Sequence, residues 1–173
     1  MSALKPLSFL VVDDNRHMLA IIRTMLAGFD VKKVYECVDA AQAFEVFRNA
    51  APDMLLIDYN MAPLDGLDFM RLVRKGQDSP NPYVPAILIT AYSERSRVEA
   101  ARDAGINEVL VKPLTAKRLY ERICSVINNP RPFIRTEGYI GPCRRRVQDP
   151  NYSGTERRQN VDTAAKLKEQ HAA

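Results

Sequence analysis

The run Asp53-Met54-Leu55-Leu56-Ile57-Asp58 decides the fold. Unbroken apolar residues over a strand's length are what a strand covered on both faces requires, and this one ends in a carboxylate. Two similar runs flank it. Phe9-Leu10-Val11-Val12 ends in Asp13-Asp14, and Val109-Leu110-Val111 ends in Lys112-Pro113. In an open parallel α/β sheet, ligands bind outside the carboxyl ends of the strands. Three acids and a lysine at one such edge make a site for a divalent cation and a phosphoryl group.

Working outward, five apolar runs alternate with helical patterns. Strands are predicted over 8–13, 32–37, 53–58, 86–90 and 107–111, and helices over 16–27, 40–50, 66–75, 94–104 and 115–127. In the first helix Met18, Ile21, Ile22, Met25 and Leu26 recur on one face, and Gly28 ends it. In the second, Ala43, Phe44 and Phe47 form the stripe and Pro52 prevents continuation. In the third, Leu67, Phe69, Met70, Leu72 and Val73 cover a face before Gly76. The fourth is so charged that only light burial is expected. In the fifth, Leu119, Ile123, Val126 and Ile127 face inward, with Thr115 as N-cap. Such alternation gives a parallel sheet with right-handed crossovers. The expected class is α/β, a doubly wound, flavodoxin-like (βα)5 sheet of strand order 2-1-3-4-5. Its switch point falls between the first and third strands, which carry Asp13, Asp14 and Asp58. Residues 78–85, with three prolines, read as a surface loop.

The 173 residues suit one domain with an appendage. No stretch approaches the roughly 18 to 20 apolar residues that span a bilayer. Lys5 and Pro6 interrupt any signal-peptide core. Cys37, Cys124 and Cys143 lack metal-ligand spacing and read as free thiols in a reducing, cytoplasmic setting. Residues 130–173 hold 9 Lys+Arg and 5 Asp+Glu, so their net of +4 accounts for the whole formal charge of the chain. The division expected is therefore 1–129 as the folded unit and 130–173 as a basic, largely irregular arm. Charge of that kind suits an acidic or phosphate-rich partner.

Like charges about 4 Å apart at an effective dielectric near 20 repel by roughly 4 kcal/mol. Asp13, Asp14 and Asp58 must therefore hold a proton or bind a cation. A hard, oxygen-preferring ion fits, and Mg²⁺ is commonly held by one or two carboxylates with waters and phosphate oxygens. The carbonyl of Asn60 can complete its shell. Thr90, ending Ala86-Ile87-Leu88-Ile89-Thr90, offers a hydroxyl to a phosphoryl oxygen. Lys112 offers an ammonium to a developing anion. Pro113 raises the chance of a cis Lys112–Pro113 bond, which would aim Lys112 inward.

Together Val11-Val12-Asp13-Asp14-Asn15, Leu56-Ile57-Asp58-Tyr59-Asn60-Met61 with Pro63, Asp65 and Gly66, Ile89-Thr90-Ala91 and Val111-Lys112-Pro113 resemble the receiver domain of two-component response regulators, of the chemotaxis-regulator type. The resemblance spans residues 7–128. It implies that Asp58 accepts a phosphoryl group from a histidine kinase or histidine phosphotransfer protein, and that Asp13, Asp14, Asp58 and the Asn60 carbonyl bind Mg²⁺. It also implies that Thr90 and Lys112 contact the phosphoryl oxygens. Such a domain assists its own phosphorylation and is no enzyme toward small molecules. Its output would be contact with a downstream protein through the face of residues 94–127. A haloacid-dehalogenase-type phosphatase would instead place a second Asp two residues after the nucleophile, where this chain has Asn60.

Two positions depart from the commonest receiver pattern. Val109 stands where the family usually has a switch aromatic, and Tyr92 stands two residues after Thr90, where the family tunes dephosphorylation. The arm carries a repeat, Tyr-x-Gly-x-x-Arg-Arg, at 139–145 and again at 152–158. Paired arginines suit bidentate recognition of carboxylate or phosphate. Three uses of the arm follow on this reading: docking on the receiver, binding a partner protein, or binding nucleic acid. The last lacks a recognisable DNA-reading helix. Residues 163–172 can form a short amphipathic helix. A phosphate sink draining a shared kinase is the remaining alternative.

Overall fold

The computed structural model describes residues 4–143 and 161–162. Five parallel strands, β1 (Ser8–Val12), β2 (Lys33–Cys37), β3 (Met54–Asp58), β4 (Ala86–Thr90) and β5 (Glu108–Val111), form one sheet in the order β2-β1-β3-β4-β5. The five helices between and after them are α1 (Arg16–Gly28), α2 (Ala40–Ala50), α3 (Gly66–Lys75), α4 (Arg95–Asp103) and α5 (Ala116–Asn128). The predicted class and strand order are those observed. No helix among the described residues is long and apolar enough to cross a membrane.

The sheet is buried on both faces because its central strands are apolar throughout, and every residue of β1, β3 and β4 is buried. Alternate side chains divide between two cores, as the strand period of two demands. Leu10, Val12, Leu55, Ile57 and Leu88 meet α2, α3 and α4. Phe9, Val11, Leu56, Ile87 and Ile89 meet α1 and α5. Asn15, Asp39, Asp65 and Thr115 each cap a helix N-terminus through a side-chain oxygen. Helix α4 has no side-chain cap and buries only Ala101 fully, as its charge led one to expect.

Two helix faces differ from the sequence reading. On α1 the buried line is Leu19, Ile22 and Leu26, while Ile21 faces solvent. On α3, Leu72 is exposed and Arg74 is buried at 2% exposure. The second difference has its cause in residues 130–143, which are not irregular. Strands β6 (Phe133–Arg135) and β7 (Ile140–Pro142) pair antiparallel across a turn in which Thr136 and Tyr139 hydrogen-bond each other. The backbone of β8 (Val161–Asp162) pairs with the other side of β6. Phe133, Ile134 and Cys143 are buried by this docking.

The hairpin closes over the ends of α3, β4 and β5 that lie away from the carboxylate edge. Arg74 is its anchor. The guanidinium donates from Nε and Nη2 to the Gly105 carbonyl at 3.1 and 2.9 Å and from Nη1 to that of Pro82 at 2.7 Å. It also lies 4.9 Å from the centroid of the Phe133 ring. Burial pulls its pKa down to about 9, so it still carries its charge at neutral pH. Gly105 has a φ of +83°, and a Cβ there would stand 2.5 Å from the Ile140 carbonyl oxygen. Arg131 donates to the carbonyls of Cys143, at 3.2 Å, and Asn107, and Lys75 donates to that of Gly138 at 2.8 Å. Tyr139, the first tyrosine of the sequence repeat, donates its hydroxyl to the Pro142 carbonyl at 2.8 Å. The second copy of the repeat and the predicted helix over 163–172 lie outside the described residues.

Candidate functional site

The register brings the tips of β1, β3, β4 and β5 level at one edge. Val12 stands beside Ile57, Asp58 beside Ile89, and Thr90 beside Val111. Backbone bonds carry the ladder past the strand ends, from Asp13 N to Cys37 O at 3.1 Å, Tyr59 N to Ile89 O at 2.8 Å and Lys112 N to Thr90 O at 2.7 Å. The Lys112–Pro113 bond is cis as expected, and Ala62–Pro63 is cis as well.

Asp58 is buried at 5% exposure. Its Oδ1 accepts from Lys112 Nζ at 2.7 Å and its Oδ2 accepts from the Asn60 backbone N–H at 2.7 Å. Asp13 is deeper, at 1%. Its Oδ1 accepts from the Asn15 backbone N–H at 2.8 Å. Its Oδ2 is buried without a hydrogen-bond donor, with Lys112 Nζ 3.9 Å away. Burial, chiefly, raises the Asp13 pKa, and the negative charges of Asp58 and Asp14 push it further up against the Asn15 N–H and Lys112. A buried anionic oxygen with no donor is costly and is what a cation would relieve.

Asp14 is exposed and acts on Asp13 through its charge alone. Asn60 is exposed too. Among the described residues no three His, Cys, Asp or Glu side chains converge as a metal cage. Thr90 is buried at 3% exposure, and its Oγ1 accepts from the Tyr92 N–H at 3.0 Å. The structure thus gathers Asp13, Asp58, Thr90 and Lys112 at one edge and leaves Asp14 and Asn60 at its rim.

One close neighbour holds this edge in shape. Gly66 opens α3 and donates its N–H to the Tyr59 carbonyl at 3.0 Å. A Cβ on Gly66 would overlap the Asp58 carbonyl oxygen and press on Ile57 and Leu88. Gly66→Ala is expected to cost about 1–3 kcal/mol and to slow any chemistry at Asp58, read by urea denaturation and by phosphoryl uptake.

An aromatic cluster at the rim was not legible as such in the sequence. Tyr59 and Tyr92 meet edge to face with centroids 6.1 Å apart. Arg97 of α4 sets its guanidinium 4.0 Å from the Tyr92 centroid and 5.1 Å from that of Tyr59. Tyr59 and Val109 both pack, partly buried, against the core that contains Leu88 and Ala101. Val109 gave notice that an aromatic was missing at one position. The sequence pointed to Tyr92 beside Thr90, but nothing in the spacing of Tyr59, Tyr92 and Arg97 announced that the three would meet.

With this geometry in view, comparison with known proteins is specific. Residues 9–124 match the family described as response regulator receiver domain. The chain is 32% identical over 117 residues to chemotaxis protein CheY of Pseudomonas aeruginosa, covering 68% of this chain and 93% of that protein. It is 29% identical over 119 residues to chemotaxis protein CheY-3 of Vibrio cholerae, covering 69% and 90%. Among solved structures, CheY4 of Vibrio cholerae at low pH aligns with a TM-score of 0.64 at 22% identity, over 69% of this chain and 98% of that one. A chain of a CheX–CheY–BeF3–Mg complex from Borrelia burgdorferi aligns with a TM-score of 0.64 at 20% identity, over 70% and 89%. At these identities the structural likeness shows the fold.

Proposed function

The chain belongs to the response regulator receiver family, whose members are phosphoaccepting signalling regulators, and we propose that Asp58 is its phosphoacceptor. The observation that carries this reading is the charge arrangement around Asp58. Its carboxylate ends a buried strand, oriented from both oxygens by Lys112 and the Asn60 N–H. The unsatisfied Oδ2 of Asp13 lies 3.9 Å from the same ammonium.

The donor is a phosphohistidine on a separate histidine kinase or phosphotransfer protein. A carboxylate oxygen of Asp58 attacks phosphorus in line, the P–N bond breaks, and the imidazole leaves with its electron pair. The Lys112 ammonium follows the negative charge onto the phosphoryl oxygens, and the Thr90 hydroxyl donates to one of them. Catalysis of this kind is positioning and electrostatics rather than covalent chemistry by the protein. Asp13 and Asp58 would hold Mg²⁺, with Asp14 and the Asn60 carbonyl completing its shell. When bound, it neutralises phosphoryl oxygens that would otherwise face two carboxylates. A structural relative solved in a complex with BeF3 and Mg²⁺ supports a divalent cation as the partner of such a fold.

Phosphorylation is then read by a downstream protein on the face of α4, β5 and α5. Helix α4 suits a movable reader, lacking a side-chain cap and fixed at Ala101. Val98 is a large apolar side chain exposed on α4.

The cation site has its own test. At neutral pH, Asp13→Asn is expected to raise the melting temperature of the metal-free protein by a few degrees, because a neutral amide replaces a buried unpartnered carboxylate oxygen. The same variant should lose the thermal stabilisation that millimolar Mg²⁺ gives the unsubstituted protein. Equal Mg²⁺ response in both proteins, followed by scanning fluorimetry with an extrinsic dye, would remove Asp13 from the site.

A further inference from the structure

Arg97 stands outside the phosphoacceptor constellation yet is tied to it from two sides. Tyr59 follows Asp58 directly, and its N–H is fixed to the Ile89 carbonyl at 2.8 Å. Tyr92 follows Thr90 by two residues, and its N–H is fixed to Thr90 Oγ1 at 3.0 Å. The two rings come from two different strand-end loops. Their contact with one guanidinium, at 5.1 and 4.0 Å, joins both loops to the first turn of α4. Glu94, the residue before that helix, has an oxygen 3.6 Å from Arg97 Nε and so favours the same placement of the side chain.

The forces are additive in kind. Edge-to-face ring pairs contribute about 0.5–1.5 kcal/mol beyond area burial, and a cation over a ring contributes about 0.5–1 kcal/mol at exposed sites and more when desolvated. Arg97 is partly shielded, with its side chain 36% exposed. Tyr92 is 38% exposed, so few other contacts restrain its ring. The ring's position therefore depends chiefly on its partners in this cluster.

Resting on the phosphoacceptor assignment to Asp58, we propose that Arg97 is a positioning residue for the lifetime of the phosphorylated state, acting by holding Tyr92 against Tyr59 at the mouth of the site. Loss of the phosphoryl group is hydrolysis. A water oxygen bonds to phosphorus, and the bond from phosphorus to the Asp58 oxygen breaks with its electron pair returning to the carboxylate. Both water protons leave on dihydrogen phosphate. The attacking water must approach from the side opposite Asp58, which opens outward. A ring held at that mouth narrows the approach, and a ring released from Arg97 does not. The same cluster gives α4 a direct mechanical link to the two loops that meet the phosphoryl group.

The test uses the full chain, phosphorylated with Mg²⁺ and a radiolabelled small acyl phosphate, then freed of donor. The decay of acid-precipitable label is followed in the unsubstituted protein, Arg97→Ala, Arg97→Lys, Tyr92→Ala and the double variant Arg97→Ala/Tyr92→Ala. Arg97→Ala should lose label at least threefold faster, with Arg97→Lys intermediate because it keeps a cation but not the planar stack. The double variant should decay no faster than Tyr92→Ala alone, a non-additivity that a general loosening of the fold would not produce. Unchanged decay in Arg97→Ala, or multiplicative effects in the double variant, would overturn the role of Arg97 while leaving Asp58 as acceptor. Failure of the unsubstituted protein to take up label would overturn both.

Discussion

Asp58→Asn is expected to abolish phosphoryl incorporation, from an acyl phosphate donor and from a histidine kinase alike, while the fold stays intact. The amide oxygen of Asn can still accept from Lys112, now at 2.7 Å from Oδ1, although the Asn60 N–H then loses its acceptor. What disappears is the anionic nucleophile. Neither Asp13 nor Asp14 can substitute. The first is buried at 1% exposure with one oxygen already bound to the Asn15 N–H, and the second lies exposed at the rim. The substitution also removes one of the negative charges that push the Asp13 pKa up. That relief opposes the loss of the Lys112 ion pair, so the variant should stay folded without Mg²⁺. Circular dichroism melts run beside phosphate-affinity electrophoresis separate the two effects. Residual incorporation at a substantial fraction of the parent level would place the acceptor elsewhere.

Arg74→Ala is expected to be the most destabilising single substitution considered, by about 3 kcal/mol. A charged donor is removed from the buried Gly105 carbonyl and the part-buried Pro82 carbonyl, each left short of a partner at about 1–3 kcal/mol. The cavity beside Phe133 adds to it. For a chain of this size such a loss lowers the melting temperature by about 6–12 °C. Arg74→Lys should recover little, since one ammonium cannot reproduce the planar fork that bridges Gly105 and Pro82. The loss should be felt first in the hairpin, seen as faster tryptic cleavage after Arg135. A variant as stable and as protease-resistant as the parent would mean that the hairpin does not depend on this anchor.

How much of this was legible in the sequence follows from the range of the forces involved. The sheet was legible because β1, β3 and β4 are covered on both faces, and that condition writes itself as unbroken apolar runs. The placement of Asp13, Asp58, Thr90 and Lys112 was legible for the same reason, since each closes such a run and the switch-point rule puts their ends on one edge. The division of labour among the acids was not. Burial separates Asp13 from Asp14, and adjacent letters carry no sign of which side chain turns inward.

The hairpin was missed because its strands are three residues each, too short for alternation to emerge. The only local signals were the β-prone pairs at Phe133-Ile134 and Tyr139-Ile140 around a glycine-containing turn. Its docking then determined the rest. Arg74 is buried because the hairpin brings an aromatic ring over it and the loops before β4 and β5 supply carbonyls, whereas Leu72 on the same helix has no such neighbour and stays exposed. Arg97, Tyr59 and Tyr92 likewise lie on three different segments that only the tertiary fold brings together.

The most direct measurement of the central claim is chemical trapping of the acyl phosphate. The full chain is incubated with Mg²⁺ and a small acyl phosphate, reduced with borohydride, and digested for mass spectrometry. A phosphorylated aspartate is thereby converted to homoserine. That conversion is expected at Asp58 within the tryptic peptide of residues 49–71, dependent on the divalent cation and absent when it is chelated. Homoserine at Asp13 or Asp14 in place of Asp58, or conversion at Asp58 indifferent to chelation, would contradict it.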